Sequence, residues 1–291
     1  MTNPPKTPNP LSVLADDPQG RSLGLELPPG TLIGRPGGRA WLRGNARREP
    51  LLWVSDAPVG AGALAACRGP ALAAGLQAVL FQERRGLESW WTRDELSPAS
   101  MSDPDDHHVE PVLRAFWARV VPDPEEGDGP DGAGLIAPFG RDWPGLAEHR
   151  TPQGGPDEDD PEAVALALAD ELIRDGVLPG PRLALIPAGR GADVPTAMGW
   201  RGPTNYESDM ALISTVLRSW EDRFGARVLA LGFDELHLSV AAPPLTTAAA
   251  LPVAAEHFAF CPDNVWQGSG SVGAYTDEAV TGSASWGFWW D

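Results

Sequence analysis

The final stretch of the chain, Ser285 to Asp291 (S-W-G-F-W-W-D), sets the strongest condition on its fold. Trp286, Phe288 and Trp290 alternate with Gly287 and Trp289, the period of a strand with one covered face. Each buried aromatic side chain removes roughly 150–250 Å² from water. At ~25 cal/mol/Å² the three together contribute on the order of 10–15 kcal/mol, an upper bound. The preceding chain must therefore supply a sheet and a thick apolar layer for this strand to lie against.

The C-terminal half reads as such a layer. Asp160 is placed to cap a helix, Pro161 takes its first position, and Gly176 ends it. Arg182 to Pro187 is apolar enough for a strand. Thr204 and Glu207 have the spacing of a capping box. Met210, Ile213, Leu217, Trp220 and Phe224 then form one helical stripe ended by Gly225. Arg227 to Phe233 and Leu236 to Ala241 read as a hairpin across Asp234-Glu235. A helix from Thr246, bent or restarted at Pro252, must stop near Cys261 because Pro262 disfavours helix in the residue before it. A short helix is expected around Tyr275. The succession β-α-β-β-α-β is that of a ferredoxin-like split βαβ domain. The opposite sheet face, with Ala184, Ile186, Val228, Ala230, His237, Ser239 and Trp289, is too apolar to stay wet and is expected to be covered by the N-terminal region.

Upstream, Leu51 to Val54, an Ala-rich helix over Gly62 to Ala74 broken near Gly69-Pro70, and a strand at Gln77 to Gln82 suggest a parallel βαβ unit, with another apolar run at Trp41-Leu42. A helix ending at Val121 carries Val109, Val112, Leu113, Phe116, Trp117 and Val120 on one face. The chain has 33 Gly and 31 Pro in 291 residues, so much of it is loop. The fold expected is α+β: a disordered leader over 1–20, an α/β domain over 21–121, an acidic Pro/Gly-rich linker over 122–159 with an apolar island at 135–146, and the ferredoxin-like domain over 160–291.

Composition excludes several functions. Lysine occurs once, at Lys6, so neither a Schiff-base nor a phosphate-loop lysine has a candidate in the folded region. Two cysteines, Cys67 and Cys261, give no disulfide framework, and no apolar run is long enough to span a membrane. A cytoplasmic protein with free thiols is expected. The net charge is −18, and an acidic surface repels phosphate backbones, so nucleic acid is not an expected partner, while a basic protein is.

Five strings then stand out: M-G-W-R-G-P-T-N-Y (198–206), L-R-S-W-E-D-R-F-G-A (217–226), A-P-P (242–244), A-E-H-F-A-F-C-P-D-N (255–264) and W-G-F-W-W-D (286–291). Together they resemble an actinobacterial domain-of-unknown-function family, numbered 4253, over Leu183 to Asp291. That family implies no particular activity.

The segment Ala254 to Gln267 concentrates chemically capable side chains. Glu256, His257, Cys261 and Asp263 have the composition of a metal or hydrolytic site, with His257 and Cys261 one helical turn apart. No Cys-x-x-Cys or His-x-x-x-His completes a ligand set, and a thiol at a helix C-terminus is poorly activated. Gly268 to Gly273 spells G-x-G-x-x-G without a clear preceding strand, and Gly60-Ala61-Gly62 is a partial match of the same kind. Trp200, Arg201, Asn205 and Tyr206 share a loop whose composition suits a binding surface. The favoured function is a non-catalytic protein-binding module, in its most concrete form an acidic immunity- or antitoxin-like inhibitor of a basic protein. Its candidate binding residues are that loop together with Glu256, His257, Cys261, Asp263 and Asn264, with no cofactor and no metal. The competing reading is a hydrolase-type enzyme or metal site built on His257, Cys261, Glu256 and Asp263.

Overall fold

A computed structural model describes residues 9–35, 49–82, 86–93, 95–121, 131–148 and 160–291. It is a mixed α+β structure around one seven-stranded sheet of order β1-β2-β4-β3-β5-β6-β7. The strands are β1 (Gly30–Gly34), β2 (Pro50–Ser55), β3 (Gln77–Phe81), β4 (Arg182–Ile186), β5 (Ala226–Leu231), β6 (Glu235–Val240) and β7 (Ser285–Trp289). The helices are α1 (Ala63–Ala73), α2 (Ser89–Thr92), α3 (Val109–Val120), α4 (Asp131–Ile136), α5 (Pro161–Arg174), α6 (Val194–Met198), α7 (Met210–Phe224), α8 (Thr247–Phe260) and α9 (Val272–Tyr275).

The sheet lies between two helical layers. Helices α3, α7, α8 and α9 cover one face over the larger core, which holds Trp220, Phe258, Trp286 and Phe288. Helices α1 and α5, with Leu11, Leu14, Leu25 and Leu27, cover the other. Both faces being dry, β3 is buried at every residue and β4 at all but its first. That is why these strands read as continuous apolar runs rather than as alternating ones.

Several expected signals act as read. The Asp160 carboxylate accepts the Glu162 amide with Pro161 at the first helical position, and Thr246 caps α8. Gly225 ends α7 in the left-handed region at φ 62°, where a side chain would be strained. Trp286, Phe288 and Trp290 share the buried face of β7 and its continuation. Other details differ. Asp209, not Thr204, caps α7, while Thr204 closes a turn onto the Arg201 carbonyl. Helix α1 runs through Pro70, and α8 through Pro252. In α1 the buried Cys67 and Ala71 flank the proline, and their packing outweighs one missing backbone bond.

The expected division of the chain does not divide the sheet. β4 follows residue 160, yet it lies between β2 and β3, antiparallel to both. β2-α1-β3 is therefore a parallel crossover with β4 inserted into it. The ferredoxin-like pattern would instead return the last strand beside β4. Here β7 pairs with β6 at the sheet edge, and β3 stands between β4 and β5. The reason is burial: β2 and β3 are too apolar to form an edge of their own, and β4 closes both. Pairing partners so distant in sequence leave no local signal.

The face assignment also changes. A bulge between Val228 and Ala230 puts Val228 in the core under α7 and Ala230 in the core under α5. Ala184 and Ile186 join the larger core. The opposite face of β5 and β6 is covered by α5, the helix just before the C-terminal strands. Part of the supposed leader is folded: Leu11 and Leu14 are buried against β2 on a 3-10 turn over Pro10–Ala15. Trp41-Leu42 and most of the acidic linker lie outside the described residues. The apolar island at 135–146 packs on both halves of the chain: the Trp117 indole donates to the Arg141 carbonyl, Phe139 and Trp143 meet the Trp117 ring edge-on, and α4 contacts α9. Just after it, Ala147 is tied to α7 and α8. None of the described helices is long and apolar enough to cross a membrane.

Because β3 separates β4 from β5, residues 160–291 expressed alone lack the strand that makes their sheet continuous. We expect this fragment to show no cooperative thermal transition and to bind a hydrophobic dye, whereas the whole chain melts cooperatively. A cooperative melt of the fragment would show that the C-terminal strands can close without β2 and β3.

Candidate functional site

Helix α8 is buried on all sides over Val253–Phe260, so the two polar groups of that stretch, Glu256 and His257, are carried into the core. The Glu256 carboxylate is fully buried and takes four donors. Arg223 grips both oxygens, at 2.8 and 2.6 Å, the Trp220 indole donates at 2.7 Å, and the Ala147 amide donates at 2.7 Å. A buried carboxylate survives ionised only when paired and saturated in this way. Removing either partner of such a pair costs about 3–5 kcal/mol.

His257 is enclosed by Trp220, Trp286 and Phe288, with ring centroids 4.4–4.9 Å away. Its Nδ1 lies 3.2 Å from the Tyr275 hydroxyl, and its Nε2 has no hydrogen-bond partner among the described residues. Burial holds the imidazole at about 3, well below its ordinary range, and the Arg223 guanidinium adds to this. A base must be reachable and must titrate near working pH; this one is neither.

Cys261 and Asn264 serve the edge of the sheet. The outer side of β7 would present bare backbone groups. Instead the Cys261 thiol donates to the Trp289 carbonyl at 2.9 Å, and the Asn264 amide donates to the Gly287 carbonyl at 2.8 Å. Asn264 Oδ1 lies 3.4 Å from the Trp289 amide, and Asn264 Nδ2 also donates to Tyr275 Oη. Two side chains thus do the work of a further strand. The buried Cys261 thiol is driven far above its ordinary pKa, chiefly by desolvation. Asp263 accepts from Gln267 and from the Asp291 amide, a turn lock rather than a ligand. The four residues of the expected enzyme or metal site are therefore each engaged separately. Among the described residues no three His, Cys, Asp or Glu side chains stand together as a cation would require.

The glycine motifs fare similarly. Residues Asn264–Ser269 form a π-helical turn ahead of Gly270, and no strand leads into Gly268. At Gly62 the amide that would meet a phosphate is taken by Asp170 at 2.7 Å.

One constellation had no sequence signal. Ser102 lies 2.6 Å from His107 Nε2 and 2.6 Å from Asp209 Oδ2. In a catalytic triad the imidazole stands between hydroxyl and carboxylate. Here the hydroxyl is in the middle, so its single proton goes to Asp209 and it accepts from His107. Burial raises the Asp209 pKa, but hydrogen bonds from Ser102 and Ala211 outweigh this and hold it low. The cluster clasps the loop before α3 to the start of α7.

Two concave surfaces of the described residues stand apart from these groups: a cleft of about 390 Å³ at one end of the sheet, and a larger hollow of about 620 Å³ lined by Glu26, Leu27, Val59, Ala63 and Cys67. The loop between α6 and α7 supplies Trp200, Arg201 and Asn205 to the cleft. Trp200 is itself buried, its indole donating to the Gly232 carbonyl and its ring meeting Trp290 edge-on at 5.8 Å. Gly202 must be glycine here, because a Cβ would lie 2.0 Å from the Trp200 ring. Tyr206 turns away: its hydroxyl donates to the Ala259 carbonyl and its ring packs on Phe116 under Arg119. Trp90, Glu95, Phe233 and Asp234 complete the cleft with Trp290 and Asp291. They come from distant parts of the sequence, and Trp290 read only as core. Glu256, His257, Cys261, Asp263 and Asn264 are not part of the cleft.

Residues 182–291 match the family described as a domain of unknown function, DUF4253. No curated protein and no solved structure matches the chain. The DUF4253 region contains the buried Glu256 system, the edge clasp and the Trp200 loop, while Trp90 and Glu95 of the cleft lie outside it.

Burial makes two outcomes measurable. Cys67 is pushed up to about 11 by desolvation and Cys261 higher still. Both thiols should stay silent to an aromatic disulfide reagent at neutral pH and react together once the chain is unfolded in urea. Rapid reaction of Cys261 in the folded chain, slowed by His257→Ala, would reinstate a nucleophile.

The second outcome is a pH slope. Unfolded, His257 titrates near 6.5, so the unfolded state takes up this proton first as pH falls. Its contribution to stability is whole above about 6.5 and is lost as pH falls towards about 3, at up to ~1.4 kcal/mol per pH unit. Urea titrations of the wild type and His257→Gln between about pH 7 and 4 should show the stability gap narrowing with acid. A constant gap would contradict a buried neutral imidazole.

Proposed function

We propose that the chain is a non-catalytic protein-binding module that engages a basic partner through the cleft beside Trp200. One observation carries this reading. The chemically dense segment holds Glu256, His257 and Cys261 wholly buried, whereas the cleft beside Trp200 is lined by aromatic, acidic and amide groups and one arginine. Aromatic side chains with a few polar groups are the composition that recognition sites favour. The net charge of −18 favours encounter with a basic surface and disfavours a phosphate backbone. An inhibitor of the immunity or antitoxin kind is the concrete form that fits an acidic, rigid and chemically inert surface. A cytoplasmic setting suits its two reduced, buried cysteines.

The test uses the whole chain as bait in its own cell extract. A basic protein should be retained at low salt and released between about 0.1 and 0.5 M salt, as screened charges require. It should be retained equally by Cys261→Ser and lost with Glu95→Lys. Retention of nothing that salt releases, or capture indifferent to Glu95→Lys, would overturn the reading.

A further inference from the structure

The walls of the cleft narrow what enters it, and this inference rests on the binding reading above. Glu95 is half-buried, its Oε2 accepting the Ser89 hydroxyl at 3.1 Å, and it meets no cation among the described residues. Asp291 is exposed on the cleft wall, with Asn205 donating to its carbonyl oxygen at 3.2 Å and no cation against its side chain among the described residues. Trp90 and Trp290, each only 3% exposed, border the same cleft with a small part of their surface. Carboxylates attract a cation by charge, and indole rings attract one by their quadrupole. Both terms strengthen in a concave, partly dry site. At about 390 Å³ the cleft stands at the small end of ligand sites, room for one side chain and not for a folded element.

We propose that the cleft receives a single arginine or lysine side chain of the partner protein, with Glu95 and Asp291 as its counter-ions and Trp90 and Trp290 flanking its stem. Two features favour a protein side chain over a free amine. Phe233 borders the cleft yet is 38% exposed, an apolar surface that a small cation would leave wet. Arg201, exposed in the lining, offers donors to a main-chain carbonyl and repels a second positive charge. An isolated basic residue next to an apolar one thus fits better than a polybasic run.

The test titrates the full-length chain with N-acetyl-L-arginine methylamide, following the indole N–H signals assigned through Trp90→Phe and Trp290→Phe. The uncharged isostere N-acetyl-L-citrulline methylamide is the control. The arginine probe should shift both signals saturably and bind about ten-fold more tightly than citrulline, as expected for an ion pair with aromatic support. Glu95→Gln and Asp291→Asn should each erase most of that preference while leaving the melting temperature unchanged. Equal binding of the two probes, or a preference untouched by both variants, overturns the proposal. n-Butylammonium binding more tightly than both the arginine probe and N-acetyl-L-lysine methylamide would assign the cleft to a free amine and also overturn it. Salt-sensitive capture of a basic protein that saturating arginine probe does not displace would sink this inference alone and leave the binding reading standing. Failure of capture itself would sink both.

Discussion

The structure depends on one buried ion pair. Glu256 on α8 and Arg223 on α7 meet at 2.6 Å, and the same carboxylate takes the Trp220 indole and the Ala147 amide. Arg223 in turn donates to the Ala147 carbonyl. Three segments remote in sequence are thereby fixed to one point. Apolar packing alone would allow α7 and α8 to slide by a turn at small cost. A saturated buried charge does not, since any shift strands a group that burial has already stripped of water. Trp220, held by this bond, then stacks on Phe288 and meets His257, Phe260 and Trp286 edge-on.

The aromatic layer and the sheet edge are built from the same short segment. Glu256 and His257 face inward from the last turns of α8, and Cys261 and Asn264 follow its end to close the open side of β7. The segment is dense in reactive residue types because a buried junction needs groups that hydrogen-bond in several directions. Desolvation that makes each of them a good structural bond also removes its chemistry: the imidazole stays neutral and the thiol stays protonated. This is the physical ground for the proposal that recognition lies elsewhere, at the cleft where Trp200 and Trp290 bring together the α6–α7 loop and the last strand.

One loop of the cleft was legible. Trp200, Arg201 and Asn205 stood out because aromatic, cationic and amide groups shared one loop. Trp90, Glu95 and Phe233 gave no sign, since nothing local marks residues that meet only across a sheet end. The chemical segment was legible as unusual and misleading as to purpose, because composition does not report burial. Ser102, His107 and Asp209 were invisible for the same reason as Trp90: 107 positions separate Ser102 from Asp209.

By itself the sequence determined the local elements. Periodicity marked the faces of α3, α7 and β7, and Asp160, Thr246, Gly225 and Pro262 marked ends, because caps and turns are set by groups within a few residues. It also carried the match to DUF4253 over residues 182–291, the region that holds the five strings. Only the tertiary structure decided that β4 lies between β2 and β3, that a bulge in β5 exchanges its faces, and that Cys261 and Asn264 guard an edge. Those outcomes follow from which apolar strands must be covered on both sides. That requirement is met by pairings across more than a hundred residues, and no local pattern encodes them.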